Sequence, residues 1–352
     1  MDGLERRPIQ RRMRKPEMSP EPFFSVVIPT YKRPDLLPRA VESVRRQTCP
    51  DWEIIVSDDE PVEGETWKLM LQLAAKDSRI RITRNPGPAH GQTPNVNHAF
   101  SMARGRWIKP LWDDDELLDE CLACFRAGIE ARPDVVFVTC DCQRISSLPA
   151  PDAPETPARV VAYCSDSLQT LLAYYRQEPV GGGTPTRVAV LRRVVAEGVA
   201  FEEPPGITTT VDLLWFTRIA GKGQSLWMPV VLVREYQTGH VSVTSAVSDR
   251  SLDEQFALLR SIQHDMLPAA LRSPSLPVSL QALRLLRAAQ RLKDGRRREA
   301  VSLAASVWNP GAWLVFLRCL IQRRHPFMFT RVARTRLNVA LPTPIRPHTC
   351  AP

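Results

Sequence analysis

The sequence contains no uninterrupted apolar run long enough to span a bilayer, and we read no secretory signal in it. It has no internal repeat and no low-complexity tract, so nothing in it points to a repeat architecture. Its eight cysteines form no zinc-binding framework, because Cys121 and Cys124 have helical spacing and the others are scattered, and we expect buried free thiols. With 352 residues, 43% of them hydrophobic, we expect one large cytoplasmic domain with an appendage.

The chain is basic, with a formal net charge of +9 and an isoelectric point near 9.4. Part of this charge lies in residues 1–22, a proline-bearing tail without apolar periodicity that we expect to be disordered. A nucleic-acid-binding protein is therefore one alternative. Against it, the sequence has no recognised reader motif, and no aromatic residues are interleaved with the basic tail. We expect no nucleic-acid partner.

From residue 24 to residue 139, short β-rich runs alternate with helical stretches. This alternation predicts an α/β fold with a parallel central sheet and flanking helices. In such sheets, ligands bind beyond the carboxyl ends of the strands. The predicted strands are 24–28, 52–56, 79–83, 106–111 and 134–139, and the predicted helices are 35–47, 65–76, 93–103 and 117–131.

Three consecutive aspartates, Asp113, Asp114 and Asp115, follow the fourth predicted strand. Neighbouring ionised carboxylates repel one another, and a hard divalent cation that prefers oxygen ligands compensates them. The alternative is a helix N-terminus, where aspartate accepts backbone N–H bonds. A second acidic pair, Asp58 and Asp59, ends the second strand at the same edge of the sheet. The metal-site interpretation is therefore favoured.

Several segments resemble family 2 glycosyltransferases: residues 25–37 (SVVIPTYKRPDLL), 41–48 (VESVRRQT), 52–59 (WEIIVSDD), Asn97, 103–108 (ARGRWI) and the acidic triplet. The resemblance covers roughly residues 23–240, about two thirds of the chain. It implies the GT-A fold, which is Rossmann-like with a mostly parallel sheet. It also implies inverting transfer of a sugar from a nucleotide diphosphate to an acceptor hydroxyl, with Mg²⁺ or Mn²⁺ on the diphosphate.

The resemblance assigns the nucleotide to Pro29, Thr30 and Tyr31 together with Asp58 and Asp59, at the positions that hold a uracil or thymine ring and its ribose. The family continues after the second aspartate with Gly-Ser. In this sequence, Glu60 and Pro61 stand there instead.

The same resemblance places Asp114 on the main metal position of the D-x-D motif, with Asp115 just after it. The first acid of that motif falls on Trp112, so Asp113 is a candidate substitute. His240 lies where related enzymes bring a late loop back over the diphosphate. Neutral imidazole can bind Mn²⁺, although a loop histidine is more often only solvated.

An inverting transfer needs a general base near the acceptor hydroxyl. The resemblance places this base on Asp212, before the segment Arg218-Ile-Ala, although Val211 replaces the usual neighbouring Glu. A helix N-cap is the alternative for a lone Asp before an apolar helix. Spacing favours catalysis, because Phe201-Glu-Glu lies where the family has its Phe-Asp-Glu turn. The glycines at 181–183 lack the following Lys-Ser/Thr of a phosphate loop, so we expect a permissive loop.

After residue 245 the composition changes to helices rich in Leu, Ala and Arg, predicted over 252–262, 280–293, 298–307 and 311–323. We therefore divide the chain into the tail 1–22, a catalytic domain 23–245 and a helical region 246–352. Aromatics and arginines from Trp313 to Arg336 suit an interfacial element on an anionic membrane. An ordinary core helix with solvated arginines is the alternative for this segment.

The expected function is glycosyl transfer from a UDP- or dTDP-sugar in bacterial cell-surface polysaccharide or glycolipid synthesis. The expected acceptor is a glycan or a lipid-linked intermediate at the inner face of the plasma membrane. A metal-dependent nucleotidyltransferase is the enzymatic alternative, because it also needs paired acids near a phosphate. It would not explain Asp212.

Overall fold

The computed structural model describes residues 21–167, 169–171, 184–205, 207, 210–237, 254, 276–293, 295–322 and 335–342. The first half has the expected alternation of strands and helices. Its elements are β1 (Phe24–Thr30), α1 (Leu37–Arg45), β2 (Trp52–Asp58), α2 (Glu65–Lys76), β3 (Ile80–Arg84), α3 (Gln92–Ser101) and β4 (Trp107–Pro110).

The second half begins with a difference from the sequence prediction. The helix expected from residue 117 begins four residues later, because Glu116 and Leu117 pair with Arg234 and Val233 as a short strand. The elements are β5 (Glu116–Leu117), α4 (Cys121–Ala131), β6 (Val135–Ile145), β7 (Arg159–Ser165), β8 (Val188–Leu191), α5 (Arg192–Ala196), α6 (Val211–Ala220) and β9 (Gln224–Tyr236).

With β10 (Thr335–Ala340), one ten-stranded sheet connects these elements in the order β10-β7-β9-β6-β8-β4-β1-β2-β3, and β5 joins it on β9. Strands β4, β1, β2 and β3 are parallel neighbours, and β6 is parallel to β9. Strand β8 runs antiparallel between β4 and β6 and so joins the two parallel groups. The expected α/β class with mostly parallel core strands is confirmed.

Strand β1 shows how the sheet divides the core into two layers. Successive side chains of a strand point to opposite faces. Val26 therefore packs in the layer that includes Leu37 of α1 and Phe125 of α4. Val27 packs in the opposite layer, together with Val96 of α3 and Trp215 of α6. All are buried, and each such side chain stabilises the fold by about 1.5–3 kcal/mol relative to an exposed one.

The C-terminal region is helical as expected, and it also returns to the sheet. Its helices are α7 (Leu276–Lys293), α8 (Arg297–Ala305) and α9 (Pro310–Gln322), which enclose a small core that includes Leu285, Val307 and Ala312. Strand β10 (Thr335–Ala340) pairs antiparallel with β7 at the sheet edge, and the sequence analysis did not predict it. The helix predicted over 252–262 lies outside the described residues, apart from residue 254. Across the ranges described above, no helix is both long and apolar enough to cross a bilayer.

Candidate active site

The predicted site residues meet at the carboxyl end of the parallel strands. Thr30 ends β1, and its backbone carbonyl accepts a hydrogen bond from the backbone N–H of Asp59 at 3.0 Å. Its hydroxyl donates to Oδ2 of Asp113 at 2.8 Å. The Asn95 amide of α3 bridges the same edge, because it donates to the carbonyls of Thr30 and Ser57. Hydrogen bonds therefore join the loops after β1, β2 and β4 at this edge of the sheet, where ligands bind in folds of this kind.

The three consecutive aspartates have different surroundings. Asp113 is buried and accepts hydrogen bonds from Thr30 and, at 2.9 Å, from Arg33. Asp114 is less enclosed, with 15% of its side chain exposed, and it accepts a hydrogen bond from Arg33 at 3.1 Å. Desolvation raises the pKa of Asp113, and the positive charge of Arg33 opposes this rise. Asp113 and Asp114 thus share one cationic partner.

Asp115 faces the interior of the domain. Its Oδ2 accepts the Thr186 hydroxyl at 2.7 Å, and its Oδ1 accepts the backbone N–H of Tyr236 at 3.3 Å. Burial raises its pKa well above the usual value, and the negative charge of Asp114 adds to this rise. Thr186 is itself held by the buried Lys109, whose ammonium donates to the backbone carbonyl of Thr186. Asp115 therefore links β4 to β9.

Asp113 and Asp114 offer the kind of ligands that a divalent cation prefers. Oxygens of Asp113 and Asp114 converge on a single positive group, and oxygen ligands of this kind suit Mg²⁺ or Mn²⁺. Among the described residues, no group of three or more His, Cys, Asp or Glu side chains could hold a metal. His240 lies outside the described residues.

The second acidic pair differs from the first in its contacts. Asp59 is almost fully enclosed: it accepts hydrogen bonds from the Asn85 amide at 2.8 Å and from the backbone N–H of Gly91 at 2.6 Å, and His90 lies 3.4 Å away. Asp58 is buried, and its Oδ2 has no hydrogen-bond partner among the described residues. Desolvation raises the pKa of Asp58, whereas the positive charge of Arg84 lowers it.

Arg84, at the end of β3, also has unused hydrogen-bonding groups. Its Nε and Nη2 atoms are buried without a partner within the described part of the chain. Its guanidinium lies 4.5 Å from the centre of the Trp67 ring. Asp58 and Arg84 therefore offer an acceptor and donors together, a pairing that the sequence analysis missed. Pro29 is half-buried at the end of β1, and the Tyr31 side chain is exposed beside it.

The departure from the family's Gly-Ser loop has a structural explanation. Glu60 turns inward and accepts the Thr66 hydroxyl at 2.8 Å, so α2 holds the loop. A Cβ atom at Gly64 would lie 2.5 Å from the Glu60 carboxylate, so a larger residue there would displace this carboxylate. The loop is thus closed by a different set of contacts.

Asp212 lies in the first turn of α6, after the N-cap residue Thr210. The Trp112 side chain lies next to its carboxylate. Desolvation raises the pKa of Asp212 to about 7, and the hydrogen bond from Trp112 limits this rise. The residue that replaces the first acid of the metal motif therefore contacts the predicted base.

Two side chains of α3 hold the loop before α6 in place through hydrogen bonds. The Asn97 amide donates to the carbonyl of Phe201 at 2.9 Å and accepts its backbone N–H at 2.9 Å. The Thr93 hydroxyl donates to the Glu203 carboxylate at 2.5 Å. The Phe201 ring stacks on Trp215 of α6 at 4.8 Å and lies 6.2 Å from the Trp112 ring. These contacts hold the first turn of α6 against the acidic loop. The glycines at 181–183 lie outside the described residues.

Comparison with known proteins agrees with this site. The family described as glycosyl transferase family 2 matches residues 25–198, which confirms the resemblance that the motifs indicated. This match contains both acidic clusters and the strands that carry them. Asp212 lies after it.

Two curated relatives are similar over the first part of the domain. A GalNAc(5)-diNAcBac-PP-undecaprenol beta-1,3-glucosyltransferase of Campylobacter jejuni is 37% identical over 127 residues, which are 36% of this chain and 41% of that protein. A UDP-Glc:alpha-D-GlcNAc-diphosphoundecaprenol beta-1,3-glucosyltransferase of Escherichia coli is 33% identical over 93 residues, 26% of this chain and 35% of the relative. The chain thus spans less than half the length of either one.

Solved structures of glycosyltransferases share the fold. Residues 1–349 of TarS from S. aureus, in complex with UDP-GlcNAc, match 80% of this chain and 90% of theirs, with a TM-score of 0.52 and 14% identity. The mannosyltransferase PcManGT from Pyrobaculum calidifontis, in complex with GDP-Man and Mn²⁺, matches 87% of this chain and 82% of its own. Its TM-score is 0.54 at 17% identity. These similarities confirm the GT-A fold.

Proposed function

We propose that this protein is an inverting glycosyltransferase that moves a sugar from a UDP- or dTDP-sugar to an acceptor hydroxyl. The packing of the Phe201 ring against both Trp112 and Trp215 of α6, which holds Asp212 beside the acidic loop, carries the proposal. It brings a carboxylate with a pKa of about 7 next to the loop whose following residues, Asp113 and Asp114, share a cationic partner. A base and a diphosphate site side by side are what an inverting transfer needs.

Asp212 takes the proton of the acceptor hydroxyl in this mechanism. A base with a pKa near the working pH is both ionised and strong enough to accept a proton, and such a base contributes about 10²- to 10⁴-fold in rate. The Trp112 indole orients the carboxylate, because a hydrogen bond restricts its rotation. Asn97 does not contact Asp212 in this mechanism but positions it indirectly, because it holds the backbone of Phe201 in the loop before α6.

Asp113 and Asp114 would hold a divalent cation, Mg²⁺ or Mn²⁺. When bound, the cation supplies positive charge to the departing nucleoside diphosphate. The chemistry of the two carboxylates supports this role, and the Mn²⁺ in the PcManGT complex agrees with it. Asp115 would support the cation only indirectly, because Thr186 and Tyr236 already use its oxygens.

Asp58 and Arg84 would read the base of the nucleotide. The Oδ2 atom of Asp58 and the Nε and Nη2 atoms of Arg84 are buried without a partner in the part of the chain that the structure describes. A base that reached them would find an acceptor for the N3–H of uracil or thymine and donors for a neighbouring carbonyl of the ring. Guanine offers an N1–H beside a carbonyl as well. Binding measurements with UDP, dTDP and GDP therefore distinguish these donors.

The acceptor is proposed to be a lipid-linked glycan, with the protein peripheral at the inner face of the plasma membrane. Both curated relatives described above are named for polyprenyl-linked substrates. Helix α9 supports this location, because Trp313, Leu314, Leu317 and Ile321 are exposed along one side of it. Residues 300–352 contain seven arginines and no Asp or Glu, which suits an anionic surface.

A nucleotide-sugar panel tests the proposal. The purified protein is heated with Mn²⁺ and each of several UDP-, dTDP- and GDP-sugars, because a ligand that binds the folded state raises the unfolding temperature. We expect a UDP- or dTDP-sugar to protect, and we expect the corresponding nucleoside diphosphate to be released on turnover. Release of pyrophosphate would support the nucleotidyltransferase alternative instead.

A further inference from the structure

The Arg33 side chain joins the two carboxylates to which the proposed function assigns the divalent cation. Its Nη1 atom donates to Oδ1 of Asp113 at 2.9 Å and to Oδ2 of Asp114 at 3.1 Å. A single nitrogen therefore occupies the point on which both carboxylates converge. A metal ion that used these same two oxygens would need this position.

Arg33 is fixed at its backbone and accessible at its side chain. Its carbonyl accepts the backbone N–H groups of Leu36 and Leu37, at 3.3 and 3.2 Å, just as α1 begins. The preceding Lys32 has a φ of 53°, a left-handed conformation that is uncommon for a residue other than glycine. The turn is thus closely specified, whereas 31% of the Arg33 side chain is exposed. The guanidinium can move while the turn stays in place.

We propose that Arg33 is a placeholder for the divalent cation. It neutralises Asp113 and Asp114 before the donor arrives, and its guanidinium moves to the donor's diphosphate when the cation takes its place. This inference rests on the proposed function, because it requires a diphosphate in the site. A guanidinium and a divalent cation cannot share one position, since their like charges repel at such a distance. The planar donors of a guanidinium match phosphate oxygens well.

The placeholder role couples the cation to the nucleotide. A cation that binds alone must displace Arg33 into water, where the guanidinium loses two charged partners. A cation that binds with the nucleotide gives the displaced guanidinium a new partner of the same charge. The two ligands should therefore bind with positive cooperativity, and the cooperativity should depend on Arg33.

The test measures the affinities of the full-length protein for Mn²⁺ and for UDP, which Arg33→Met should change in opposite directions. Free Mn²⁺ is titrated by electron paramagnetic resonance without nucleotide, and UDP is titrated by calorimetry at a Mn²⁺ concentration that saturates the site. We expect Arg33→Met to bind Mn²⁺ about tenfold more tightly than wild type and to bind UDP about tenfold more weakly. Arg33→Lys keeps the charge near the carboxylates, so its Mn²⁺ affinity should stay close to that of wild type.

Arg45→Met is the matched control, because it removes one arginine from α1, where Arg45 pairs with Glu42 and Asp77 instead. It should change neither affinity. If Arg33→Met binds Mn²⁺ as wild type does or more weakly, Arg33 only braces the carboxylates and the placeholder role is wrong. If its UDP affinity is unchanged, the diphosphate contact is wrong. Arg33→Gln provides the same readouts if Arg33→Met does not fold. The Mn²⁺ titration needs no nucleotide, so it judges Arg33 even if wild type binds no nucleoside diphosphate, which would contradict the proposed function.

Discussion

The side chain of Trp112 lies next to the carboxylate of Asp212, one hundred residues further along the chain. In the family motif, the position of Trp112 is the first acid of the metal site. Here that position carries an indole beside the predicted base. A neighbour of the predicted base thus stands where the first acid of the predicted metal site was expected.

Asp212→Asn should bind the donor nearly as well as wild type and lose most of its turnover. The amide has the shape of the carboxylate but cannot accept the proton, and removal of a general base costs about 10²- to 10⁴-fold in rate. Donor affinity by calorimetry and rate of nucleoside diphosphate release check the two halves. Turnover within a few-fold of wild type would show that another residue takes the proton.

The rate should rise with pH through about 7, because Asp212 acts only when it is ionised and its pKa is about 7. Stability should change in the opposite direction. The folded state keeps this proton up to a pH of about 7, whereas an unfolded Asp loses it near 3.9, so stability falls between these values. Asp212→Asn should therefore raise the unfolding temperature more at pH 8 than at pH 4, and equal shifts at both would contradict the raised pKa.

Trp112→Phe should move the rising limb of the pH–rate profile to higher pH. The hydrogen bond from Trp112 lowers the pKa of Asp212, so its removal raises that pKa. Trp107→Phe is a suitable control, because the Trp107 indole nitrogen is buried without a hydrogen-bond partner in the described ranges. That variant should be less stable but keep the wild-type limb. If Trp112→Phe leaves the rising limb of the pH–rate profile at the wild-type pH, the hydrogen bond has no catalytic role.

Asp114→Ala should affect ligand binding, whereas Asp115→Ala should affect stability. Asp114→Ala should remove the Mn²⁺ dependence of UDP binding, because the diphosphate then loses its bridge to the protein. Asp115→Ala should reduce stability, because the Thr186 hydroxyl and the Tyr236 N–H lose their acceptor. Each buried donor left unsatisfied costs about 1–3 kcal/mol. UDP titrations with and without Mn²⁺, and chemical denaturation, separate the two outcomes, and an unchanged Mn²⁺ dependence in Asp114→Ala contradicts the metal assignment.

The sequence was sufficient for β1 to β4 and the helices between them, because each is a local pattern of apolar residues. It was insufficient for β5 and β10, whose residues pair with strands more than a hundred residues away. The same reason applies to the site. Asp212 was predicted by motif spacing, whereas its contact with Trp112 depends on how α6 packs against the loop after β4. The bridge made by Arg33 was missed because three neighbouring aspartates do not reveal their counter-ion.

Trp313→Glu should weaken sedimentation with anionic liposomes at every salt concentration, because it removes apolar area from the exposed side of α9. Binding of the wild type should fall as salt rises, since nearby arginines each contribute about 1 kcal/mol on an anionic surface. Leu71→Glu is the matched control, because Leu71 is also exposed but lies on α2. If the wild-type protein does not sediment with anionic liposomes at low salt, the membrane location is wrong.

The configuration of the product tests the central claim most directly. Wild-type protein is given the nucleotide sugar that the panel selects and a synthetic polyprenyl-diphosphate glycan, and the new linkage is read by proton NMR. An inverting enzyme with Asp212 as its base should produce the anomer opposite to that of the donor, and Asp212→Asn should produce it at least about 10²-fold more slowly. A product that retains the donor's configuration would contradict the mechanism.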